Sequence, residues 1–243
     1  MSPQVAAGAI LGQSVCMQPY PQELFQHYLT FLTPARRRRI REVLSMRTRH
    51  LAVAMDGVFH PHNSSAVLRS CDAFGVQDVY LVEDPETERL SRKVAAGSDK
   101  WLTVHRFKGE GRTDRCVATL RSKGYRIAVT SPHAGTATPE LLPIDEPLVL
   151  VIGNETKGVS PTFCAAADLT VHVPTVGFVE SLNLSVAAAL CLSCLSGRIQ
   201  RSPIEWRIGA EDAEEIEFDW VRKSVRNAAE LQRRWESDRA GQT

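Results

Sequence analysis

Residues 51–82 read LAVAMDGVFHPHNSSAVLRSCDAFGVQDVYLV. An apolar run at Leu51–Met55 gives way to a polar stretch around His60–Ser65. A helix-like segment over Ser64–Phe74 follows, and then a second apolar run at Asp78–Val82. Short apolar runs alternating with helical ones are the pattern of a parallel sheet with crossover helices. The alternation continues downstream, with strands predicted near Trp101–His105, Arg126–Thr130, Leu148–Ile152 and Leu169–Val173. Helices are predicted near Arg112–Lys123, Pro161–Ala166 and Leu182–Leu195. Six strands over roughly 120 residues make one α/β domain, and the chain contains no internal repeat.

Helical extensions flank this core. Gln22–Leu32 places Leu24, Tyr28 and Phe31 on one face, and Thr33-Pro34 then opens a second helix, with Thr as N-cap and Pro at the first helical position. That helix carries Ile40, Val43 and Leu44 on its apolar face and leaves most of its arginines on the other. Beyond Pro203 come an acidic patch, Glu211–Asp219, and a long amphipathic helix with Val221, Val225, Ala228, Leu231 and Trp235. Its regular stripe predicts packing on the N-terminal helical pair or on a second subunit. The expected organisation is a disordered tail over 1–18, an Arg-rich helical extension over 19–50, the α/β domain over 51–197 and a C-terminal helical extension over 198–243.

Of 243 residues, 43% are hydrophobic, enough for a sizeable core, and the net charge of +1 says nothing about partners. Its distribution is more informative. All 29 Lys and Arg lie after residue 33, and Arg36, Arg37, Arg38, Arg39, Arg41, Arg47 and Arg49 fall within Pro34–His50 against the single acid Glu42. A run of this kind is either a solvated helix face or a polyanion contact, and the scarcity of counter-charge favours the second. Cys191 and Cys194 form a lone CxxC in an apolar run, with no second pair to complete a metal site, and read as buried thiols. The apolar stretch Val5–Val15 has no basic residue before it, unlike an export signal. No run reaches the ~20 apolar residues of a membrane span, so the expectation is a cytoplasmic protein that binds neither membrane nor structural metal.

Three segments break the rules of ordinary strands and helices. The first is His60-Pro61-His62-Asn63-Ser64-Ser65-Ala66-Val67-Leu68-Arg69, at the C-terminal end of a strand, where open α/β sheets keep their ligands. Asn63 suits a helix N-cap. Arg69, among apolar neighbours and with only Asp72 in reach, reads as partly buried and in want of an anion. The second segment is Leu150-Val151-Ile152-Gly153-Asn154-Glu155-Thr156-Lys157-Gly158, an apolar strand ending in two glycines that bracket a glutamate. It is no phosphate-binding P-loop, because Val159 follows where Lys and Ser/Thr are needed, and no strand leads into a dinucleotide-type GxGxxG. The third segment, Val173-Pro174-Thr175-Val176-Gly177-Phe178-Val179-Glu180-Ser181-Leu182-Asn183-Leu184-Ser185, is an apolar loop opening a small-residue helix. Ser181 is read as its cap, with Asn183 in its first turn.

In this order and at these separations, the three segments resemble the signature motifs of the SpoU family of RNA 2′-O-methyltransferases. The first motif is met by Asn63, Ala66 and Arg69, the second by Gly153, Glu155 and Gly158, and the third by Pro174, Gly177, Ser181, Leu182, Asn183, Ser185 and Ala187. The resemblance implies a knotted (trefoil) parallel-sheet α/β fold, which no periodicity could have revealed. It also implies S-adenosylmethionine bound largely by backbone groups, at positions matching Thr130, Gly153, Val173 and Leu182. A homodimer through the third-motif helix is implied too, and would bury Cys191 and Cys194. Within the family, TPARRRRIREVL (33–44) and HPHNSSAVLRSCDAFGV (60–76) are similar to members that methylate the D-loop guanosine ribose of tRNA. Thr175 and Phe178 stand where methionines are usual.

Under that resemblance the catalytic set is Arg69, Asn63, Glu155, Ser181 and Asn183. A ribose hydroxyl is a poor nucleophile that needs alignment and deprotonation. Arginine, with a pKa of ~12.5–13.8, is a poor base, so Arg69 is expected to hold the neighbouring phosphate and orient the hydroxyl. Base strength would then come from the phosphate or from a shifted arginine. Asn63, Ser181 and Asn183 would position Arg69 and the ribose, and Glu155 would anchor the site. Arg36, Arg37, Arg38, Arg39 and Arg41 would hold the tRNA backbone without reading sequence. The alternatives are methylation of another tRNA position or of ribosomal RNA, or a non-catalytic RNA-binding protein that keeps the fold.

Overall fold

The computed structural model describes residues 21–58, 60–83, 99–132 and 137–240; the expected 1–18 tail lies outside them. Two compact units emerge. One runs from Arg41 to Ala213, and the other combines the described parts of 1–40 and 214–243.

The larger unit holds a six-stranded, all-parallel sheet: β1 (Leu51–Asp56), β2 (Asp78–Val82), β3 (Thr103–Phe107), β4 (Arg126–Thr130), β5 (Leu148–Ile152) and β6 (Leu169–Val171). The spatial order is β3-β2-β1-β5-β4-β6. β1 and β5 are central, with Val53 in register with both Val79 and Leu150, and all their residues are buried. Helices cover both faces: α3 (Pro61–Ala73) and α6 (Leu184–Arg201) on one, α4 (Arg112–Ser122) and α5 (Pro161–Ala166) on the other.

Strand side chains alternate between faces, and the core follows that alternation. Leu51, Val53 and Met55 join Val67, Leu68 and Cys71 of α3 and Leu192 and Leu195 of α6, while Ala52 and Ala54 join Cys116, Leu120 and Phe163. Each buried Leu, Val or Phe of this kind contributes about 1.5–3 kcal/mol. After β1 the chain builds outward through β2 and β3, then restarts on the other side. The order therefore reverses between β1 and β5, and the C-terminal ends of the strands are where such sheets hold ligands.

Five strands begin where the apolar runs predict. The third is shifted to Thr103 and the sixth stops at Val171. Two helix starts differ from expectation. Pro61, with its φ preset for a first helical position, starts α3, so His60 is the N-cap and Asn63 lies inside the first turn. Asn183, not Ser181, caps α6, its Oδ1 accepting from Ser185 N at 2.9 Å.

In the smaller unit, α1 (Gln22–Thr30) packs with the chain's C-terminal helices. The Tyr28 hydroxyl lies 3.2 Å from Ala228 O and from Gln232 Oε1, and the rings of Phe25 and Tyr28 lie 6.2 and 6.0 Å from that of Phe218. The single long C-terminal helix expected from the apolar stripe is two, α7 (Ala210–Ser224) and α8 (Ala228–Ala240). The break falls at Asn227, whose φ of 57° is left-handed. α2 (Pro34–Leu44) opens as expected, with Thr33 Oγ1 accepting from Arg36 N at 3.2 Å. No helix among the described residues is long and apolar enough to cross a membrane.

Candidate active site

A pocket of about 350 Å³ opens at the C-terminal ends of β4 and β5, beneath the segment that follows β6. Its floor is the turn after β5. There Asn154 N donates to Gly158 O at 2.8 Å and Gly158 N returns a bond to Asn154 O at 2.9 Å. A Cβ on Gly153 would meet the backbone of Gly158 and Val159 at 2.4 Å, so only glycine lets this turn close. Gly158 itself adopts φ +71°, the left-handed conformation that glycine takes freely. The Asn154 side chain locks the turn. Its Oδ1 accepts from Thr156 N and Lys157 N at 2.8 and 3.0 Å, and its Nδ2 donates to Gly57 O, just past β1, at 2.7 Å. Asp56, buried at the end of β1, accepts from Ser160 N at 2.7 Å and ties down the far side of the same loop.

This scaffold presents Glu155 to the start of α3. Its Oε1 accepts from Asn63 Nδ2 at 2.8 Å and from His60 N at 3.1 Å. Asn63 Oδ1 in turn accepts from Asn183 Nδ2 at 3.2 Å, and Asn183 Oδ1 accepts from Ser185 Oγ at 2.6 Å. Three expected catalytic residues, some 92 and 120 positions apart in sequence, thus form one polar chain on the edge of the pocket. Having α3 start at Pro61 turns the side chain of Asn63 away from capping and toward Glu155. Ser181 lines the pocket with Glu155 and Asn183.

Arg69 is not brought in. It is exposed, has no hydrogen-bond or ion-pair partner among the described residues, and borders a separate shallow depression with His62, Ser65 and Phe74. The expectation of partial burial fails because Leu68 and Cys71 face the sheet, and a residue one step along a helix points elsewhere. Asp72 is not its counter-ion but the partner of Arg47.

All four positions expected to hold the cofactor, Thr130, Gly153, Val173 and Leu182, line the pocket, beside Ile152, Leu184 and Ala187. An apolar wall with backbone groups at its edge and a volume near the lower end of small-molecule sites suits a nucleoside-sized ligand. Asn154 and Asp56 were not assigned roles from sequence. An Asn between two glycines is an Asx-turn signal that could have singled out Asn154, whereas nothing local marks Asp56.

The basic segment divides. Arg47 is buried, its guanidinium paired with Asp72 and donating to Val76 O at 3.0 Å, and burial lowers its pKa. Arg49 bridges Asp78 and Asp212 at 2.9 and 2.6 Å. Arg37 is largely spoken for, donating to Leu29 O in the last turn of α1 and to Leu32 O just past it, at 2.5 and 3.2 Å. Arg36, Arg38, Arg39 and Arg41 are exposed on α2. Cys191 is buried in the core of the larger unit, its thiol pushed up to about 12 by burial, and Cys194 is only partly covered.

The fold and pocket define a class: parallel α/β proteins that bind a nucleoside-like ligand at the C-terminal ends of their strands, with a polar relay beside it. The profile of the SpoU rRNA Methylase family matches residues 50–193, more than half of the chain, and the protein belongs to that family. The tRNA (guanosine(18)-2′-O)-methyltransferase of Borreliella burgdorferi is 30% identical over 197 residues, 81% of this chain and 89% of that one. Among solved structures, the TrmH/SpoU tRNA modifying enzyme of A. aeolicus aligns with a TM-score of 0.66 and 28% identity, covering 79% of this chain and 98% of that one. The SpoU methyltransferase AviRb from Streptomyces viridochromogenes, in complex with AdoMet, aligns with a TM-score of 0.54 and 26% identity over 66% of this chain and 62% of that one.

Proposed function

We propose that the protein transfers a methyl group from S-adenosylmethionine to the ribose 2′-hydroxyl of the D-loop guanosine of tRNA; the Borreliella relative is named for 2′-O-methylation of a tRNA guanosine. The observation that carries this reading is the Glu155–Asn63–Asn183 relay on the edge of a pocket walled by Gly153, Val173 and Leu182. Bound there, S-adenosylmethionine supplies an electrophilic methyl group. Ile152, Val173, Leu182 and Ala187 would hold its apolar parts, and the backbone at Thr130 and Gly153 its polar edge.

The chain's own residues must align a hydroxyl of high pKa. Asn63 and Asn183 fix each other's amide orientation, leaving their remaining capacity to the ribose. Glu155 anchors Asn63. Arg69 holds the phosphate beside the target ribose, for which an exposed guanidinium is suited by its fork of donors. Because Arg69 borders a depression outside its own pocket, a homodimer is part of the reading. Val186 and Leu190, each 47% exposed on α6, provide an apolar face for a second copy. The segment 172–183 lacks regular structure while lining the pocket, which fits the family's trefoil knot. Arg36, Arg38, Arg39 and Arg41 bind tRNA backbone, so affinity falls steeply with salt, and the compartment is the cytoplasm.

The test is incubation of the purified protein with labelled S-adenosylmethionine and unmodified tRNA transcript, mapping the product by mass spectrometry. Methyl on the D-loop guanosine ribose is expected. Methyl on another ribose, or on ribosomal RNA alone, replaces the substrate, and no transfer to any RNA despite cofactor binding removes the catalytic reading.

A further inference from the structure

The loop between β6 and α6 exposes the described residues' most solvent-exposed large hydrophobic side chains, Val176 and Phe178. Exposed apolar groups of this size mark a surface that meets something. The same loop supplies Thr175, Glu180 and Ser181 to the pocket, and Thr175 Oγ1 donates to Val179 O at 3.4 Å, bending the loop back on itself. Phe178 therefore stands two residues from the pocket wall. Glu180 is exposed there, with no hydrogen bond or ion pair among the described residues.

A carboxylate at the mouth of a site for a polyanion is an electrostatic liability, because it repels phosphate. It becomes useful only opposite donors, since an ionised carboxylate is purely an acceptor. Among the four bases, guanine alone offers two adjacent donors on its Watson–Crick edge, N1–H and N2–H. Cytosine, adenine and uracil each set an acceptor beside their single donor group. An aromatic ring next to such a carboxylate is the other half of single-strand base recognition, in which the unstacked base lies on the ring while its edge is read. We propose that Phe178 and Glu180 select the target base: guanine stacks on the Phe178 ring and donates N1–H and N2–H to the Glu180 carboxylate. The inference rests on the guanosine reading above and deepens it by naming what recognises the base.

The test compares tRNAs carrying guanosine or inosine at the methylated position. Inosine lacks the N2 amino group. The proteins are wild type, Glu180→Gln, Phe178→Ala and Phe178→Trp, with S-adenosylmethionine affinity and oligomeric state measured for each. Wild type should prefer guanosine by about ten- to hundredfold in kcat/KM, the worth of one hydrogen bond to a charged group. Glu180→Gln should lose about that much on guanosine and shrink the preference to a few-fold. Phe178→Ala should lose about tenfold or more on both substrates, and Phe178→Trp should restore it. An unchanged guanosine preference in Glu180→Gln overturns the proposal. So does a weakened S-adenosylmethionine affinity, which would assign Glu180 to the cofactor, or a Phe178→Ala protein whose subunits separate, which would assign the ring to a second copy. If wild type methylates no RNA, the guanosine reading itself falls, a result distinct from all of these.

Discussion

The N-terminal edge of the sheet and the pocket at its C-terminal edge treat charge in opposite ways. At the N-terminal edge, ionic groups are matched. Arg47 is paired with Asp72, Asp78 at the start of β2 receives both Arg49 and His105 (2.9 and 2.6 Å), and Asp168, just before β6, receives Arg121 at 2.7 Å. At the C-terminal edge, Glu155, Asn63 and Asn183 hold one another by single hydrogen bonds around an open pocket. Both regions are rich in polar residues, so composition does not separate them; the pairing of opposite charges does. Charges paired off within the fold hold elements together. Groups with valences to spare at the ends of parallel strands are where a ligand completes the set.

Substitutions at the two edges should therefore fail in different assays. Arg69→Ala gives the largest expected effect. Removing a group that orients the reacting hydroxyl should lower kcat by about a thousandfold, leave tRNA binding within several-fold and leave the melting temperature unchanged. If tRNA binding is lost instead, Arg69 is a docking residue and does not belong with the reacting centre. Arg47→Ala should do the reverse. Removing this buried side chain, whose partner Asp72 is 41% exposed, costs about 1–3 kcal/mol, visible as a lower denaturation midpoint, while the fraction that remains folded turns over at nearly the wild-type rate. A large loss of kcat per folded molecule in Arg47→Ala would erase the distinction between the edges.

The sheet was legible because buried parallel strands announce themselves as apolar runs, and β2, β4 and β5 begin and end where those runs do. The pocket's backbone positions were legible through the motif resemblance. Local rules misled where two of them competed. Asn63 and Ser181 are both acceptable caps, but Pro61 at a first helical position and Asn183 two residues later took those places. The apolar stripe of the C-terminal helices runs through Asn227 without interruption, so periodicity gave no hint of the break. Charge counting along the chain grouped Arg47 and Arg49 with the exposed arginines. Their partners lie 25 or more residues away, and only the folded chain brings them together.

The smallest expected effect concerns Asp168. The Arg121 guanidinium, bonded to both carboxylate oxygens, and the backbone N–H of Ile127 hold its pKa below the ordinary aspartate value. A group whose pKa is depressed by folding stabilises the folded state above the unfolded value, about pH 3.9. That contribution disappears as the pH falls through the lower, folded value. Both partners are partly solvent-exposed (42% and 30%), so screening limits the pair to about 0.2–1 kcal/mol. Urea denaturation of wild type and Asp168→Asn should differ by that amount at pH 7 and converge as the pH falls through the lowered, folded value. The same substitution probes how far the edges are independent. Asp168 precedes β6, and the chain leaving β6 carries Val173 into the pocket two residues later. Unchanged S-adenosylmethionine affinity in Asp168→Asn would mean that β6, paired to β4 through Val129 and Thr170, insulates the pocket from its opposite end. An affinity loss larger than the stability loss would mean that the matched edge sets the geometry of the open one.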